Sequence, residues 1–459
     1  MPLWKTASQC LEIQPGLSRS CGRRAKGPAR LPGPLRTPRR RCRRALGGSV
    51  IAVRLDGGVA MHAEFISPDD PRWQRYLESN WHDFYHLPEY VKLCAYHEGG
   101  IPMAFYAQYR GASFLAPLII RPLPESLNAS PGWCDCVSPY GYSTPLVAPT
   151  QEQLPTFIEA FSALAKERSI VSAFFRLHPF SELNKGDLCR FGQLVHHGPT
   201  IYLDLSLTQD EFWKHVRRNH KQNYQRLVQD GFDVSVDDWA RLGEFAALYR
   251  DTMLRVGAVT CLYSEQYFTD LKTILGPAMH LCCVRSQTGS VVAGGIFVEM
   301  GGLVHYHLSA TATEYLRLGP NKLIIPFMRA WSQERLNRVL HLGGGVGGAY
   351  DSLFHFKAGF SDARADFYSY RLIVDQSKYE SLSRVAATQA GGDHSIPANF
   401  FPAYRRAVPH APHLPPVPAA TTALTSPRMS SGEPHVRCFR RPHFRFCRVV
   451  RPSHAAVRP

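Results

Sequence analysis

The sequence contains no apolar run close to the roughly 20 residues that a transmembrane helix requires. Its 12 cysteines are scattered, and neither Cys134-x-Cys136 nor the adjacent Cys282-Cys283 belongs to paired Cys-x-x-Cys knuckles, the usual spacing of a structural zinc site. These absences argue against a membrane-spanning chain and against a zinc protein. We therefore expect a cytoplasmic protein with reduced core thiols and no metal.

Acidic residues are scarce at both ends of the chain. Residues 1–60 carry a net charge of +11 and residues 401–459 carry +9, whereas the region between them carries −4. Both ends are rich in Arg and Pro and poor in aliphatic residues, so we expect residues 1–60 and 379–459 to be disordered extensions, with Met61 as the natural start. The basic charge therefore belongs to the ends, and DNA is not an expected partner.

The central region alternates between strand and helix patterns. Apolar periodicity predicts two domains, at residues 61–198 and 199–378, because about 340 residues exceed what one core usually serves. In the second half, Thr208-x-x-Glu211 is a capping box that predicts a helix over 209–229. The elements predicted after this helix are strands at 232–236, 280–285, 291–299, 303–309, 339–342 and 365–374, and helices at 242–256, 265–275, 321–335 and 350–358.

A glycine-rich segment follows the predicted strand at 339–342. Five of the six residues from Gly343 to Gly348 are glycines, and Asp351 then precedes a predicted helix. Backbone N–H groups at Gly343, Gly344 and Gly345 can approach a carbonyl or an anion closely, and a helix N-terminus adds the positive end of a dipole. The pattern indicates a site for an acyl or phosphoryl group, although a plain connection is an equal alternative.

Six short segments, taken in order, resemble the FemAB-like proteins of the GNAT superfamily. They are HDFYHLPEY at 82–90, LAPL at 115–118, SPYGYSTPL at 138–146, LRLGPN at 316–321, LGGG at 342–345 and FKAGF at 356–360. The resemblance implies a mixed α/β fold of two tandem GNAT-like domains with central mixed sheets. It also implies an acyltransferase in which strands 303–309 and 339–342 part to admit the acyl donor and the acceptor.

The chemistry implied is direct attack of an amine or hydroxyl on a carbonyl, for which no covalent nucleophile is needed. No Ser-His-Asp or Cys-His pattern stands out in the sequence. Lys357 lies at the border of an apolar helix face and is the first candidate to hold a phosphate or a developing oxyanion. His305 and His307 share one face of a strand, with Tyr306 on the other, and any of the three is a candidate proton relay.

Binding residues are suggested at several further positions. Lys214, Arg217, Arg218 and Lys221 form a basic stripe on the predicted helix 209–229 that suits phosphates, with a solvated face as the alternative. Tyr140 and Tyr142 could stack on a sugar or a base, or simply pack their loop. Asp351 is placed to cap its helix, and His355 one turn later is a weaker candidate base.

The resemblance brings Arg317 and Asn321 into the donor site, with one departure. Where acyl-CoA enzymes of the superfamily cradle a pyrophosphate, this chain has Leu316 in the first position of the motif and Pro320, which lacks an N–H donor. No bound cofactor is expected, and the co-substrate is either an acyl-CoA or an aminoacyl-tRNA. The preferred acceptor is a cell-envelope precursor, such as one of peptidoglycan, or a sugar. The alternatives are an acyl-CoA-dependent N-acetyltransferase acting on a small molecule, and a non-catalytic module that binds a nucleotide-sugar or RNA.

Overall fold

The computed structural model describes residues 51–54, 60–258, 262–389 and 400–406, with backbone only at 51–54 and 60. The strands are β1 Ile51–Arg54, β2 Ala60–Ile66, β3 Ile101–Tyr109, β4 Ala112–Pro122, β5 Cys134–Val137, β6 Leu146–Ala148, β7 Ile170–Leu177, β8 Gln193–Asp204, β9 Asp233–Val236, β10 Met279–Arg285, β11 Val291–Met300, β12 Leu303–Thr311, β13 Val339–Gly343 and β14 Arg364–Ile373. The helices are α1 Pro71–Ser79, α2 Pro88–Glu98, α3 Leu154–Glu167, α4 Lys185–Cys189, α5 Gln209–His215, α6 Arg218–Gln229, α7 Leu242–Arg255, α8 Glu265–Leu275, α9 Asn321–Glu334, α10 Ser352–Lys357 and α11 Gln376–Gln389.

One mixed sheet runs through both halves of the described chain. Its strand order is β1-β2-β3-β4-β5-β7-β14-β8-β13-β12-β11-β10-β9, with β6 paired to β4. The closing strand β14 joins the halves, because it is antiparallel to β7 on one side and to β8 on the other. The mixed α/β fold expected from the sequence is confirmed, but its sheet is continuous across the two halves.

Helices cover both faces of this sheet. One buried cluster contains Tyr85 and Tyr90 from the first half together with Phe245 and Tyr267 from the second half. The halves therefore share a hydrophobic core as well as a sheet, and a site between them has fixed walls. The predicted division at 198/199 falls inside β8, which passes through it without a break, and this division stays a prediction.

The prediction of a single helix over 209–229 is wrong, because the structure has two helices there, α5 and α6. The capping box holds as expected, with Thr208 and Glu211 bonding each other's backbone N–H groups at the start of α5. Val216 then adopts an extended conformation, and the Arg217 N–H donates to the Gly359 carbonyl at 2.9 Å. This tertiary bond redirects the chain, so the residues on either side of Val216 do not form one continuous stripe.

The ordered region extends further than the expected limits of the extensions. β1 pairs with β2 although it lies within residues 1–60. Helix α11 and residues 400–406 lie within 379–459, yet Tyr404 is fully buried and Arg405 forms an ion pair with Asp135. Apolar packing and buried charge pairing hold the two C-terminal segments, and the rest of both extensions lies outside the described residues.

Among the described residues, no helix has the length and apolar character needed to cross a bilayer. The six described cysteines carry free thiols, and five of these are buried. Cys282 and Cys283 belong to different core clusters, because neighbours on a strand face opposite sides of the sheet.

Candidate active site

The strands β12 and β13 form an opening in the sheet. They pair in parallel at only three positions, from Leu303 with Val339 to His305 with His341. Beyond these histidines β12 continues beside β11 to Thr311, whereas β13 ends at Gly343 beside β8. The parting of strands 303–309 and 339–342 expected from the sequence is therefore present, and the two histidines mark where it begins.

The glycine-rich segment turns the chain at the edge of this opening. Gly343 has a φ of 75°, a left-handed conformation that favours glycine. A Cβ on Gly345 would lie 2.0 Å from the Ala349 carbonyl oxygen and 2.4 Å from Asp351 Oδ1, so the turn has no room for a side chain there. The segment is thus a compact turn built on glycine, as its composition suggested.

Helix α10 does not offer the anion site that we expected at its N-terminus. The helix begins at Ser352 and has only six residues. Asp351 caps it by accepting hydrogen bonds from Phe354 N–H at 2.8 Å and from Val346 N–H at 2.9 Å. These donors are occupied by a carboxylate, so the capping role of Asp351 is confirmed and a bound phosphate at this position is not supported.

Lys357 lies under the glycine turn. Its Nζ donates to the Gly344 carbonyl at 2.7 Å, and only 8% of the residue is exposed. A Cβ on Gly343 would lie 3.4 Å from this Nζ and 3.6 Å from Tyr142 Oη, so both polar groups converge on the same glycine. Burial lowers the pKa of Lys357 to about 8, although the nearby Asp351 carboxylate opposes the shift. The lysine is therefore a buried cation close to its point of deprotonation.

Asp83 binds two histidines at the start of the opening. Its Oδ2 lies 2.6 Å from His305 Nε2 and 3.1 Å from His178 Nε2, and its Oδ1 accepts from Phe84 N–H at 2.7 Å. All three side chains of the cluster are at most 2% exposed. Burial alone would raise the pKa of Asp83, but the two histidines hold it well below its usual value. The carboxylate is thus a buried anion that joins the two halves of the chain.

These three side chains are also close enough to be considered as a metal site, since their ligand atoms lie within 4.8 Å of one another. The proton positions favour hydrogen bonding instead. Phe180 N–H donates to His178 Nδ1 at 3.2 Å, so this nitrogen is an acceptor and the proton of the neutral ring lies on Nε2, facing Asp83. A metal would need the lone pair of that Nε2, so the donor set fits a hydrogen-bond network better than an ion.

His341 extends this network toward β8. Thr200 donates its hydroxyl proton to the Ala365 carbonyl at 2.8 Å, and therefore accepts from His341 Nε2 at 2.9 Å. His341 Nδ1 is then the acceptor in its 3.3 Å contact with His305 Nδ1. The buried chain of contacts Thr200–His341–His305–Asp83–His178 crosses three strands and both halves. We call these five residues the histidine network.

His307 and Tyr306 of β12 are the other residues predicted as proton relays, and both lie apart from Lys357. His307 shares the face of His305 as expected, and its ring contacts those of Phe84 and Tyr140. Burial lowers the pKa of His307 to about 3, so it is neutral at physiological pH. Tyr306 faces the other side of the sheet, where its ring stacks on Phe297 at 4.7 Å.

The two loop tyrosines have different surroundings. Tyr142 lies in the site, with its ring 5.3 Å from that of His341, and burial raises its pKa to about 12. Tyr140 packs against His307, and its carbonyl accepts from Tyr90 Oη at 3.0 Å. Tyr142 is therefore the better placed of the two for contact with a substrate.

The predicted basic stripe is present only in part. Arg217 precedes α6 and donates through Nη1 to the His355 carbonyl at 3.1 Å, and both residues are exposed. Arg218 is exposed and Lys221 is half-buried on α6. Lys214 belongs to the separate helix α5, so the prediction that four cations lie along one face of one helix is wrong.

The remaining predicted donor residues flank the start of α9. Arg317 is exposed, whereas Asn321 donates through Nδ2 to Thr311 Oγ1 at 2.6 Å at the far end of β12. Asn321 Oδ1 is buried and has no hydrogen-bond partner among the described residues. Asn321 is thus tied to the end of β12, the strand on which the opening begins at His305.

Sequence reasoning missed Asp83, His178, His341 and Thr200. Asp83 lies inside the segment at 82–90, and His341 immediately precedes the segment at 342–345. The two residues are more than 200 positions apart, so no local spacing in the sequence relates them. His341 could have been suspected from the sequence, because it lies on the predicted strand 339–342, just before the glycine turn. The remaining contacts required the tertiary fold.

Comparison with known proteins identifies part of this architecture. Residues 214–357 match the family model described as an acetyltransferase (GNAT) domain. No curated protein matches the chain. Among solved structures, FemX is 15% identical, with a TM-score of 0.54, covering 69% of this chain and 99% of its own.

Two further structures are more distant. L-PGS from Bacillus licheniformis is 14% identical, with a TM-score of 0.45, over 68% of this chain and 94% of its own. A tandem GNAT protein from the clavulanic acid biosynthesis pathway is 12% identical, with a TM-score of 0.37, over 67% of this chain and 98% of its own. The similarity to FemX concerns the fold. The family match includes the strands that part, the glycine turn and Lys357.

Proposed function

We propose that this chain is a FemAB-like acyltransferase of the GNAT superfamily, which transfers an acyl or aminoacyl group to an amine or hydroxyl of a cell-envelope or sugar precursor. The transfer is a direct attack on the carbonyl of the donor, without a covalent enzyme intermediate. The observation that carries this proposal is the opening between β12 and β13, with a buried lysine cation at its edge.

Lys357 is the proposed electrophilic group. Its ammonium already binds one carbonyl oxygen, that of Gly344, so its geometry suits an oxygen that gains negative charge. A cation in a water-poor site stabilises an oxyanion more strongly than it would in bulk water. Lys357 therefore lowers the barrier to attack and does not itself form a bond to the acyl group.

Tyr142 is the proposed proton donor. The attacking nitrogen or oxygen loses a proton as its bond to the carbonyl carbon forms, and the leaving group gains a proton as its bond breaks. Tyr142 remains protonated at neutral pH because burial raises its pKa to about 12, and its hydroxyl converges with Lys357 on Gly343. It can give its proton to the leaving group and recover the proton that the acceptor loses.

The donor is proposed to be an acyl-CoA or an aminoacyl-tRNA, used as a co-substrate. Exposed Arg217 and Arg218 lie next to the FKAGF segment, and Arg317 is exposed in the segment before α9. Such cations suit the phosphates of either donor. We also propose, from the sequence alone, a cytoplasmic location and a peptidoglycan precursor as the acceptor.

A second candidate function is acyl-CoA-dependent N-acetylation of a small molecule. The family model that matches residues 214–357 is that of an acetyltransferase domain, which favours an acetyl donor. The two candidates share Lys357 and differ in donor and acceptor.

The test is single-turnover transfer by the full chain with panels of acyl-CoAs and aminoacyl-tRNAs, each offered amino-sugar and nucleotide-sugar acceptors. We expect measurable transfer from one donor class and a loss of at least about 100-fold in Lys357→Met, the order expected for one lost oxyanion contact. Lys185→Met, which changes an exposed lysine outside the site, is the matched control. Transfer by Lys357→Met at the wild-type rate would refute the role of the lysine, and no transfer from any donor would refute the proposed reaction.

A further inference from the structure

A second cavity lies between the two halves, away from the glycine turn. It has a volume of about 530 Å³, within the range of small-molecule sites. Its walls include Tyr76, Trp81 and Phe180 from the first half, and Leu303 and Arg338 from the second half. We call it the junction pocket.

The junction pocket is distinct from the candidate active site. Leu303 and Val339 are the first residues of β12 and β13, whereas Gly343 ends β13 next to Lys357. Val339 and Gly343 are four residues apart along β13, which corresponds to about 13 Å at roughly 3.3 Å per residue. The histidine network lies between the two places, with Trp81 and Phe180 packed on His178 and Phe180 also on His341.

The pocket offers an aromatic surface. Trp81 is 44% exposed, and Phe180 lines the same pocket, so the two aromatic side chains give the pocket an apolar wall. Such a wall suits the face of a sugar ring or another ring, because it buries C–H surface while the polar edges remain available.

The charged groups at the pocket define the ligand further. Arg338 is exposed and has no ion pair or side-chain hydrogen bond within the described part of the chain, and a guanidinium binds phosphate or carboxylate through two parallel bonds. Glu182, also exposed, lines the pocket too. One cation and one carboxylate suit a ligand with a single anionic group and disfavour a polyanion such as RNA.

We propose that the junction pocket binds a small sugar-like ring that carries one phosphate or carboxylate group. The ring lies against Trp81 and Phe180, and its anionic group pairs with Arg338. This is a binding proposal and does not depend on the acyl transfer proposed above.

The test is calorimetric titration of the full chain with glucose 6-phosphate, glucuronate and neutral glucose. We expect both anionic probes to bind and glucose to bind at least about tenfold more weakly, because a charged hydrogen bond contributes about 1.5–3 kcal/mol. Comparing the two anions tells a phosphate site from a carboxylate site.

Variants locate the binding. Arg338→Gln should weaken the anionic probes about tenfold or more and leave glucose unchanged, whereas Trp81→Ala should weaken all three probes. Arg250→Gln, an exposed arginine on α7, is the control.

Three results would overturn the proposal: no binding of either anion to the wild-type chain, wild-type affinity in Arg338→Gln, or tighter binding of an RNA oligonucleotide that Arg338→Gln removes. Lys357→Met should bind the probes normally. A failure of the acyl-transfer proposal therefore leaves this result intact, and the reverse also holds.

Discussion

At the residue scale, the side chain that distinguishes this site is a lysine that is buried and not solvated. Its position beside the apolar helix face led us to expect a stem that covers apolar surface and an ammonium at the edge of a pocket. Instead the ammonium is drawn in under the glycine turn by the Gly344 carbonyl. The cation is thereby desolvated, which strengthens its effect on a nearby carbonyl but makes it expensive to keep charged.

We predict that Lys357→Met loses activity but gains stability. Lowering the pKa of Lys357 from 10.5 to about 8 corresponds to a burial cost of up to about 3 kcal/mol at pH 7, which methionine avoids. Below pH 8 the folded wild-type chain holds a buried charge. Between pH 8 and 10.5 the unfolded chain binds more protons, so wild-type stability rises and the difference between the two proteins shrinks. Urea unfolding at several pH values measures this, and a variant less stable than wild type at pH 7 would contradict it.

We predict that the transfer rate falls as the pH rises through about 8, because only the protonated lysine stabilises the oxyanion. The profile of kcat should be measured from about pH 6 to about pH 10 with a hydroxyl acceptor, so that ionisation of an amine does not interfere. Lys357→Arg should move this decline to higher pH, because a guanidinium keeps its proton. An unchanged decline in Lys357→Arg would assign it to another group.

At the element scale, the glycine turn between β13 and α10 positions the Gly344 carbonyl for Lys357. Its geometry depends on close contact inside the turn more than on backbone freedom at every glycine. Gly345, for example, has a φ of −78°, which any residue can adopt, but it has no space for a Cβ.

We predict that Gly345→Ala lowers the free energy of unfolding by about 1–3 kcal/mol and reduces transfer, because the new methyl group would displace the Ala349 carbonyl and Asp351. The comparison is Gly344→Ala, where the nearest atom would be the Pro199 carbonyl oxygen at 3.3 Å and a small shift suffices. Thermal unfolding of both variants is the measurement. Equal losses of stability would show that the turn does not depend on the contacts of Gly345.

At the scale of the whole molecule, the histidine network and β14 join the two halves. Asp83 and His178 come from the first half, and His305 and His341 from the second, so the network closes only when the shared sheet has formed. Separating the halves would remove the carboxylate of Asp83 from His305, so the network ties their pairing to a buried charge.

We predict that Asp83→Asn lowers the free energy of unfolding by about 3–5 kcal/mol at pH 7, the usual effect of removing one partner from a buried pair. The pKa of Asp83 in the folded protein is well below its usual value, so its contribution is complete above about pH 4. As the pH falls further the wild-type chain loses this contribution, and the gap between the two proteins narrows. Asp69→Asn, in an exposed pair with Lys92, should change stability by less than about 1 kcal/mol. Denaturant unfolding at pH 7 and pH 3 measures both, and a gap that widens at pH 3 would contradict the sign.

Local features account for what was predictable from the sequence. The capping box at Thr208 and the strands β10, β11 and β12 lie where the sequence pattern placed them. These features depend on neighbours within a few positions, so a single sequence carries them. The break at Val216 was not predictable in this way, because the bond that redirects the chain comes from Gly359, over 140 residues later.

The sequence by itself determined the strands from β10 to β13, the glycine turn after β13 and the capping of α10 by Asp351, because each rests on short-range steric and hydrogen-bond preferences. Only the tertiary structure decided that Asp83 meets His178 and His305, that Lys357 is buried beside Tyr142, and that the two halves share one sheet with a pocket between them. These outcomes depend on β14 pairing with both β7 and β8, which brings together residues that no local pattern relates.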